Sequence, residues 1–432
     1  MKNLLMTCGV LTAFAAVADY PQIVDSKVTF DQDSQRLVTV TYKLAEAPAI
    51  VTIDIQTNGV SIGAENFASV DGAVNRLVTE AGTEQTILWQ PRNDWPDRRL
   101  RNIPISARVT AWSTNHPPTY MVVDLTQTNR EESVAAMRYY ECAEAVPLGV
   151  SNVLYKTDRL VMRRIPAANV EWRMGYGFPE KTSRSYIAST YRFVTFTKDY
   201  YIGIYELTEM QYARIRGNAL PEVDGTLPVR RNAINSHWGY MRGEYVGGPY
   251  EWPQKGHAVD PTRGLGQLRA LTGIEFDLPT EAQWEFACRA GTLTALYSGK
   301  NMNVNNPWRA DENCNEIGWV ATGSYHEVGL KPCNAWGLYD MIGNASEICL
   351  DKAQSTMDSS PVVDPVGPET ANDTINRWNM TLYRHVVRGA SANDTGYYSV
   401  FAASDARRCD ASTLDGGDQI GVRLVCPGAM VW

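Results

Sequence analysis

Cysteine and histidine are the side chains in this sequence best suited to hold a metal or attack a substrate, so their spacing limits the chemistry available. Of the eight cysteines, Cys8 sits in an apolar N-terminal run, which leaves Cys142, Cys288, Cys314, Cys333, Cys349, Cys409 and Cys426. None of these forms a Cys-x-x-Cys, so neither a zinc ribbon nor a thioredoxin-like site is indicated. His116, His237, His257, His326 and His385 show no His-x-x-x-His and no close His-x-Asp or His-x-Glu, the spacings that would suggest facial ligation of iron. A phosphate-cradling glycine loop and His-Glu-x-x-His are both missing. Between Arg388 and Gly421 a different chemistry is suggested. There Asp394, Tyr397, Tyr398, Ser399, Phe401 and Arg407 stand among small residues. Rigid aromatics with short polar groups are the types that build adaptable binding surfaces.

The N-terminus sets the compartment. Lys2, an apolar run from Leu4 to Val17 and Ala16-Val17-Ala18 have the layout of a secretory signal peptide, with residues 1–18 removed and a mature start near Asp19. The run is shorter than the roughly 20 residues a membrane span requires. The expectation is an exported protein that is secreted, periplasmic or held at the cell surface, with no membrane span. Seven remaining cysteines are an odd number, so in an oxidising compartment at least one is unpaired or pairs between chains. Nearness in sequence suggests Cys314 with Cys333 and Cys409 with Cys426, each bridge adding about 3 kcal/mol. A net charge of −8 without a basic tract makes a poor nucleic-acid binder.

With 432 residues, 44% of them hydrophobic, the chain can build two cores. Residues 19–125 alternate apolar and polar positions, as in Val38, Val40, Tyr42 and Leu44, then Val51, Ile53 and Ile55, then Ile105, Ala107, Val109 and Ala111. Period-two runs with Asn58-Gly59 and Asp71-Gly72 between them predict an all-β sandwich of the immunoglobulin or fibronectin type III sort. Residues 126–159 are polar and weakly periodic, which marks a connector, and a second domain occupies 160–432. Thr208 with Gln211 and Thr280 with Gln283 are capping boxes that start helices. Trp284, Ala287 and Cys288 then share a helical face, and Gly217 and Gly291 stand at the stops.

Residues 334–351 read Asn-Ala-Trp-Gly-Leu-Tyr-Asp-Met-Ile-Gly-Asn-Ala-Ser-Glu-Ile-Cys-Leu-Asp. With Trp172-Arg173-Met174-Gly175, the strand from Tyr200 to Thr208, Leu-Pro-Thr-Glu-Ala-Gln-Trp-Glu-Phe-Ala from Leu278, Arg388-Gly389-Ala390-Ser391 and Gly-Val-Arg-Leu-Val from Gly421, this resembles the formylglycine-generating enzyme or sulfatase-modifying-factor family. One departure is Ile348, where the family has an aromatic residue. The resemblance implies an α+β, C-type-lectin-like domain over about 160–426, placed after the sandwich. It also implies an oxidation of cysteine to formylglycine by two cysteines that bind copper(I), but the matching positions hold Asp394 and Ser399. No cysteine lies between Cys349 and Cys409, so copper is not expected. Calcium is the cofactor the resemblance supports, through Ile342, Gly343, Ala345 and the carboxylate of Glu347; the alternative is that Asn344 and Glu347 only cap the turn and pair with a base. The expected function is a non-catalytic member that binds a peptide, protein or carbohydrate with Asp394, Tyr397, Tyr398, Ser399, Phe401 and Arg407. The alternatives are an oxidase of protein or small-molecule thiols with a relocated metal site at Cys409 and Cys426, and a scaffold that docks other exported proteins.

Overall fold

The structure is a computed structural model that describes residues 21–31, 37–97, 103–175, 191–223, 225–232, 241–243, 259–302, 311–352, 358–367, 374–377, 380–383, 385–393, 408–409 and 419–429. The N-terminal alternation becomes two sheets. One runs Ile23–Asp31, Leu37–Leu44, Gln85–Trp89, Val70–Gly72; the other is built on Ala49–Thr57, paired with Ile105–Trp112 on one side and with Arg76–Val78 and Val60–Ser61 on the other. In Leu37–Leu44 every second residue is buried, and Val38, Val40, Tyr42 and Leu44 share one core with Val51, Ile53, Ile55, Ile87 and Trp89. This is the one-faced burial that a period of two produces.

Asn58 and Gly59 take φ of 53° and 75°, the pair of left-handed residues that a tight hairpin needs. Asp71-Gly72 is not such a turn, contrary to expectation, because it lies inside the strand Val70–Gly72 that pairs with Gln85–Trp89. Glycine is required there for another reason: a Cβ on Gly72 would stand 2.3 Å from the carbonyl oxygen of Thr86.

The segment read as the end of the sandwich and the connector is folded into the second unit. Tyr120–Asp124 lies between Arg138–Tyr140 and Arg159–Ile165 in a five-stranded sheet that continues through Tyr200–Gly203 to Val425–Pro427. Tyr120, Met121, Val122 and Val123 are all buried, which marks a strand covered on both faces rather than one side of a sandwich. Between them the helix Arg130–Ala136 starts at Asn129, whose side chain accepts from the N–H of Glu132.

Both capping boxes form. Thr208 and Gln211 exchange bonds of 3.2 and 3.1 Å at the start of Glu209–Arg216, and Thr280 and Gln283 exchange bonds of 3.2 and 2.9 Å at the start of Glu281–Arg289. Gly217 stops the first helix in the left-handed conformation, but the second stops one residue early, at Ala290 with φ 45°, and Gly291 follows. In Glu281–Arg289 only Phe286 is not fully buried, so the helix is enclosed on nearly all sides.

A second five-stranded sheet packs beside it in the order Arg231–Asn232, Gln419–Gly421, Ser346–Lys352, His385–Arg388, Arg408–Cys409. Its centre, Ser346–Lys352, is buried at all seven positions. Among the described residues no helix is long and apolar enough to cross a membrane.

The expected cysteine bridges are not made. Cys333 and Cys426 carry free thiols, so neither is bridged to its expected partner, Cys314 or Cys409. The cause is placement: Cys426 is buried on a strand of the first five-stranded sheet, whereas Cys409 lies on an edge strand of the second. Cys314 is a buried position of the helix Glu312–Ile317. A bridge needs the two Cα atoms within about 7 Å.

The caps differ in what else they hold. Thr208 Oγ1 also donates to the carbonyl of Lys156 at 2.7 Å, so Thr208→Ala should cost about 2 kcal/mol where Thr280→Ala costs about 1 kcal/mol. Urea unfolding of the two variants checks the order.

Candidate functional site

Gly343 and Asn344 are the local cause of the site's shape. Both are left-handed, with φ of 81° and 58°, and a Cβ on Gly343 would stand 2.5 Å from the backbone of Trp319. The turn brings four segments onto one residue. The Asn344 amide donates to Glu206 at 2.7 Å and to the His326 carbonyl at 3.1 Å, while its oxygen accepts from the His326 N–H at 3.0 Å. Its backbone N–H donates to Trp319 at 2.8 Å, and its carbonyl accepts from Ala392 at 2.8 Å. Gly343 donates to the carbonyl of Gly389 at 2.7 Å.

The Arg388–Ser391 turn is held in the same way. Arg388 is fully enclosed and pairs with Glu281 at 2.9 Å and Glu285 at 2.8 Å. Glu285 also takes Arg289 at 2.9 Å and the N–H of Gly175 at 2.9 Å. These two arginines, together with that N–H, hold the Glu285 carboxyl below its ordinary range even though burial, the largest influence, pushes it up. Past Arg388 the chain turns at Gly389 and Ala390, φ 93° and 57°, and the carbonyls of Ser391 and Ala392 accept from Ala321 and Gly323 at 3.1 and 2.8 Å. The chain then enters 394–407. All six expected ligand contacts, Asp394, Tyr397, Tyr398, Ser399, Phe401 and Arg407, lie outside the described residues.

The loop beside that entry carries groups that sequence reading missed. Trp319 and His326 stack with centroids 3.7 Å apart, and Lys331 Nζ is 4.1 Å from the Trp319 ring. The guanidinium of Arg230 lies 4.3 Å from the ring of Tyr325. Burial and the charge of Lys331 lower the His326 pKa, which favours the neutral imidazole. No spacing could have revealed this group, since Trp319 and His326 are brought together by Asn344 and not by a helix or strand.

The calcium expectation rests on Glu347, and its carboxylate is already committed. Arg423 Nε lies 3.0 Å from both oxygens, Arg423 Nη2 lies 2.6 Å from one, and Trp284 Nε1 donates to the other at 2.6 Å. A cation drawing on Glu347 would have to displace the buried guanidinium, so Glu347 does not fit as a calcium ligand. Ile342, Gly343 and Ala345 are buried in the same core. The Ile342 carbonyl faces Gly318, where a Cβ would come within 1.9 Å, and the N–H of Ala345 donates to Glu206 at 2.7 Å. The arrangement is the other sequence reading, in which Asn344 and Glu347 hold the turn and pair with a base. Close by, burial pushes the Glu206 carboxyl well above its usual range, and burial also pushes Asp340 up to about 6.

A relocated thiol site is equally unsupported by geometry, because Cys409 and Cys426 belong to different sheets. Burial raises the Cys349 and Cys426 thiols well above their usual range, which disfavours the thiolate a soft metal needs. Among the described residues no group of three His, Cys, Asp or Glu side chains is placed to hold a metal ion.

An α+β domain whose turns are fixed by Gly343-Asn344, by Glu347 with Arg423 and by Arg388 with two glutamates belongs to a recognised class. Residues 165–427 match the Sulfatase-modifying factor enzyme 1-like domain, and the chain belongs to that family, with its C-type-lectin-like fold. Formylglycine-generating enzymes of Thermomonospora curvata and Streptomyces coelicolor are 32% and 30% identical over 160 and 155 residues, in each case 32% of this chain. The chain spans only 50% and 49% of the length of those two relatives, and 28% of the Bos taurus formylglycine-generating enzyme. Treponema denticola variable protein 1 aligns over 62% of this chain and 95% of its own, at 23% identity and a TM-score of 0.41. PvdO from Pseudomonas aeruginosa aligns over 62% and 94%, at 21% identity and the same TM-score.

Glu347→Gln would leave the Arg423 charge buried without its partner and should lower stability by about 3 kcal/mol. Urea unfolding with chelator and with added calcium should give the same loss; a loss seen only with calcium would make Glu347 a cation ligand. His385, on the strand into Arg388, has its pKa lowered to about 3, chiefly by burial. The unfolded histidine takes its proton near pH 6.5, so between those values the unfolded state binds more protons and stability falls as the pH is lowered. His385→Gln should flatten that decline in unfolding curves taken from pH 7 to pH 4.

Proposed function

We infer that this chain is an exported, non-catalytic, ligand-binding member of the sulfatase-modifying-factor family, and that residues 394–407 form its contact surface for a peptide, protein or carbohydrate. The observation that carries this reading is the pairing of a retained frame with an altered working segment. The turn Arg388–Ser391 is anchored by buried charges and by Asn344, yet the positions that the resemblance assigns to the catalytic thiols hold Asp394 and Ser399. A frame of this kind presents whatever side chains follow it, whether they perform catalysis or recognition. Tyr397, Tyr398, Phe401 and Arg407 supply the aromatic and cationic contact types that dominate binding surfaces. Trp319, Tyr325 and His326, on the loop bonded to Ser391 and Ala392, and Arg230 against the Tyr325 ring lie beside the entry to that segment and would add to its contacts. The signal-peptide layout of residues 1–18 supports an exported setting, and neither calcium nor copper has a part in this reading.

The test is one experiment with two readouts on the purified protein. Reduced protein loaded with copper(I) and incubated in air with a cysteine-containing sulfatase-type peptide should give no aldehyde by mass spectrometry; conversion would overturn the reading. Peptide and glycan arrays should capture the wild type, and Tyr398→Ala should weaken that capture about tenfold or more with an unchanged unfolding midpoint. Undiminished capture by the variant would remove Tyr398 from the surface.

A further inference from the structure

The strand Ala49–Thr57 is covered unevenly. Along one side Ile105–Trp112 pairs with it from Ile50 to Thr57 without a break. Along the other, Arg76–Val78 pairs only with residues 49–51 and Val60–Ser61 only with residues 56–57. The last bonds at the two ends of this gap run from Asn75 N–H to the Val51 carbonyl at 2.6 Å and from Ile62 N–H to the Ile55 carbonyl at 3.0 Å. Backbone groups of a strand alternate in direction, so with Val51 and Ile55 turned to this side, the N–H and C=O of Ile53 face it too. Among the described residues neither group has a backbone partner there.

The gap opens into a cleft of about 280 Å³ lined by Thr52, Ile53 and Asp54, by Asp71, and by Arg138 and Glu141 from the segment that leads to the second unit. Its size is close to the roughly 300 Å³ at which ligand pockets begin, and suits a short stretch of chain rather than a folded partner. Its charges are unequally engaged. Arg138 Nη1 donates to the carbonyls of Ala135 and Met137 at 2.6 and 2.9 Å, and Arg108, mostly exposed, lies 3.9 Å from Asp54. Asp54 accepts from Ser61 and Gln56 at 2.6 and 3.0 Å, one at each oxygen, whereas among the described residues Glu141 accepts from Thr52 through one oxygen and Asp71 from its neighbour's N–H through one oxygen. The acceptors still open therefore belong to carboxylates.

We propose that this cleft takes an extended peptide segment bearing a basic side chain. The residue opposite Ile53 exchanges two main-chain hydrogen bonds with it and completes the interrupted ladder, while a lysine or arginine beside it reaches Glu141 and Asp71. An unpaired edge of this kind can persist in a folded protein because it is short, bounded at both ends and set within a cleft, so that only a narrow chain reaches it. This site is separate from residues 394–407, and its test does not depend on the function proposed for them.

Titration calorimetry of the purified full chain with the tripeptide Ac-Val-Lys-Val-NH2 should show binding. Ac-Val-Glu-Val-NH2 and the lysine peptide methylated on its central amide nitrogen should each bind at least about tenfold more weakly, the size expected for losing a charge contact or a main-chain bond. Glu141→Gln with Asp71→Asn should lower affinity for the lysine peptide without changing the unfolding midpoint. Amide hydrogen exchange at Ile53 should slow on binding. Absence of binding, equal binding of the methylated peptide, or unchanged exchange at Ile53 would overturn the proposal.

Discussion

Asn344 is the residue on which the second domain depends. A left-handed turn at Gly343-Asn344 leaves an amide side chain and its backbone pointing into the core, and each group finds a partner on a different segment: Glu206, the backbone of His326, the backbone of Trp319, and Ala392. Much of this domain is irregular loop, and loops carry backbone polar groups that must be satisfied somewhere. Here they are satisfied by one turn, which ties the strand Tyr200–Gly203, the loop 319–326 and the exit from His385–Arg388 together. Substitution at Gly343 would push a Cβ into Trp319, so the turn has no freedom to move elsewhere.

Around this junction the charges are buried and paired. Arg423 serves Glu347 and the carbonyls of Gly203 and Tyr339, with bonds of 2.9 and 2.8 Å to the latter two. Arg388 serves two glutamates of one helix. Buried ion pairs are a weak source of net stability, because desolvation offsets most of the Coulomb gain. Their value here is positional: a guanidinium with several fixed acceptors tolerates one geometry, and Arg388 and Arg423 sit at the ends of the strands that lead into and out of the segment proposed to bind ligand.

The N-terminal sandwich is joined to this frame by more than a tether. Tyr120–Asp124 and Arg138–Tyr140 extend the sheet of the second unit, Tyr139 donates to the carbonyl of Asn75 at 2.7 Å, and Ile50 is buried in the large core rather than with the other sandwich residues. The cleft at Ile53 lies along this joint, so residues of the sandwich and of the segment that follows it line one space.

Local chemistry was readable directly. The capping boxes at Thr208 and Thr280, the hairpin at Asn58-Gly59 and the alternation of Leu37–Leu44 follow from bonds and periods that span a few residues, and the motifs from Trp172 to Val425 carried the family and its fold. The assignment of Tyr120–Asp124 was not readable, because an apolar strand shows the same alternation-free pattern whichever sheet it joins; packing decides. Cysteine pairing failed for a similar reason, since nearness along the chain says nothing about which sheet a residue enters. Glu347 shows the limit most clearly. Its place in a Gly-Asn-x-x-Glu turn allowed either a cation or a base as partner, and the carboxylate is taken by Arg423, 76 positions away in sequence and brought there by the parallel pairing of Ser346–Lys352 with Gln419–Gly421 and by bonds to Gly203 and Tyr339.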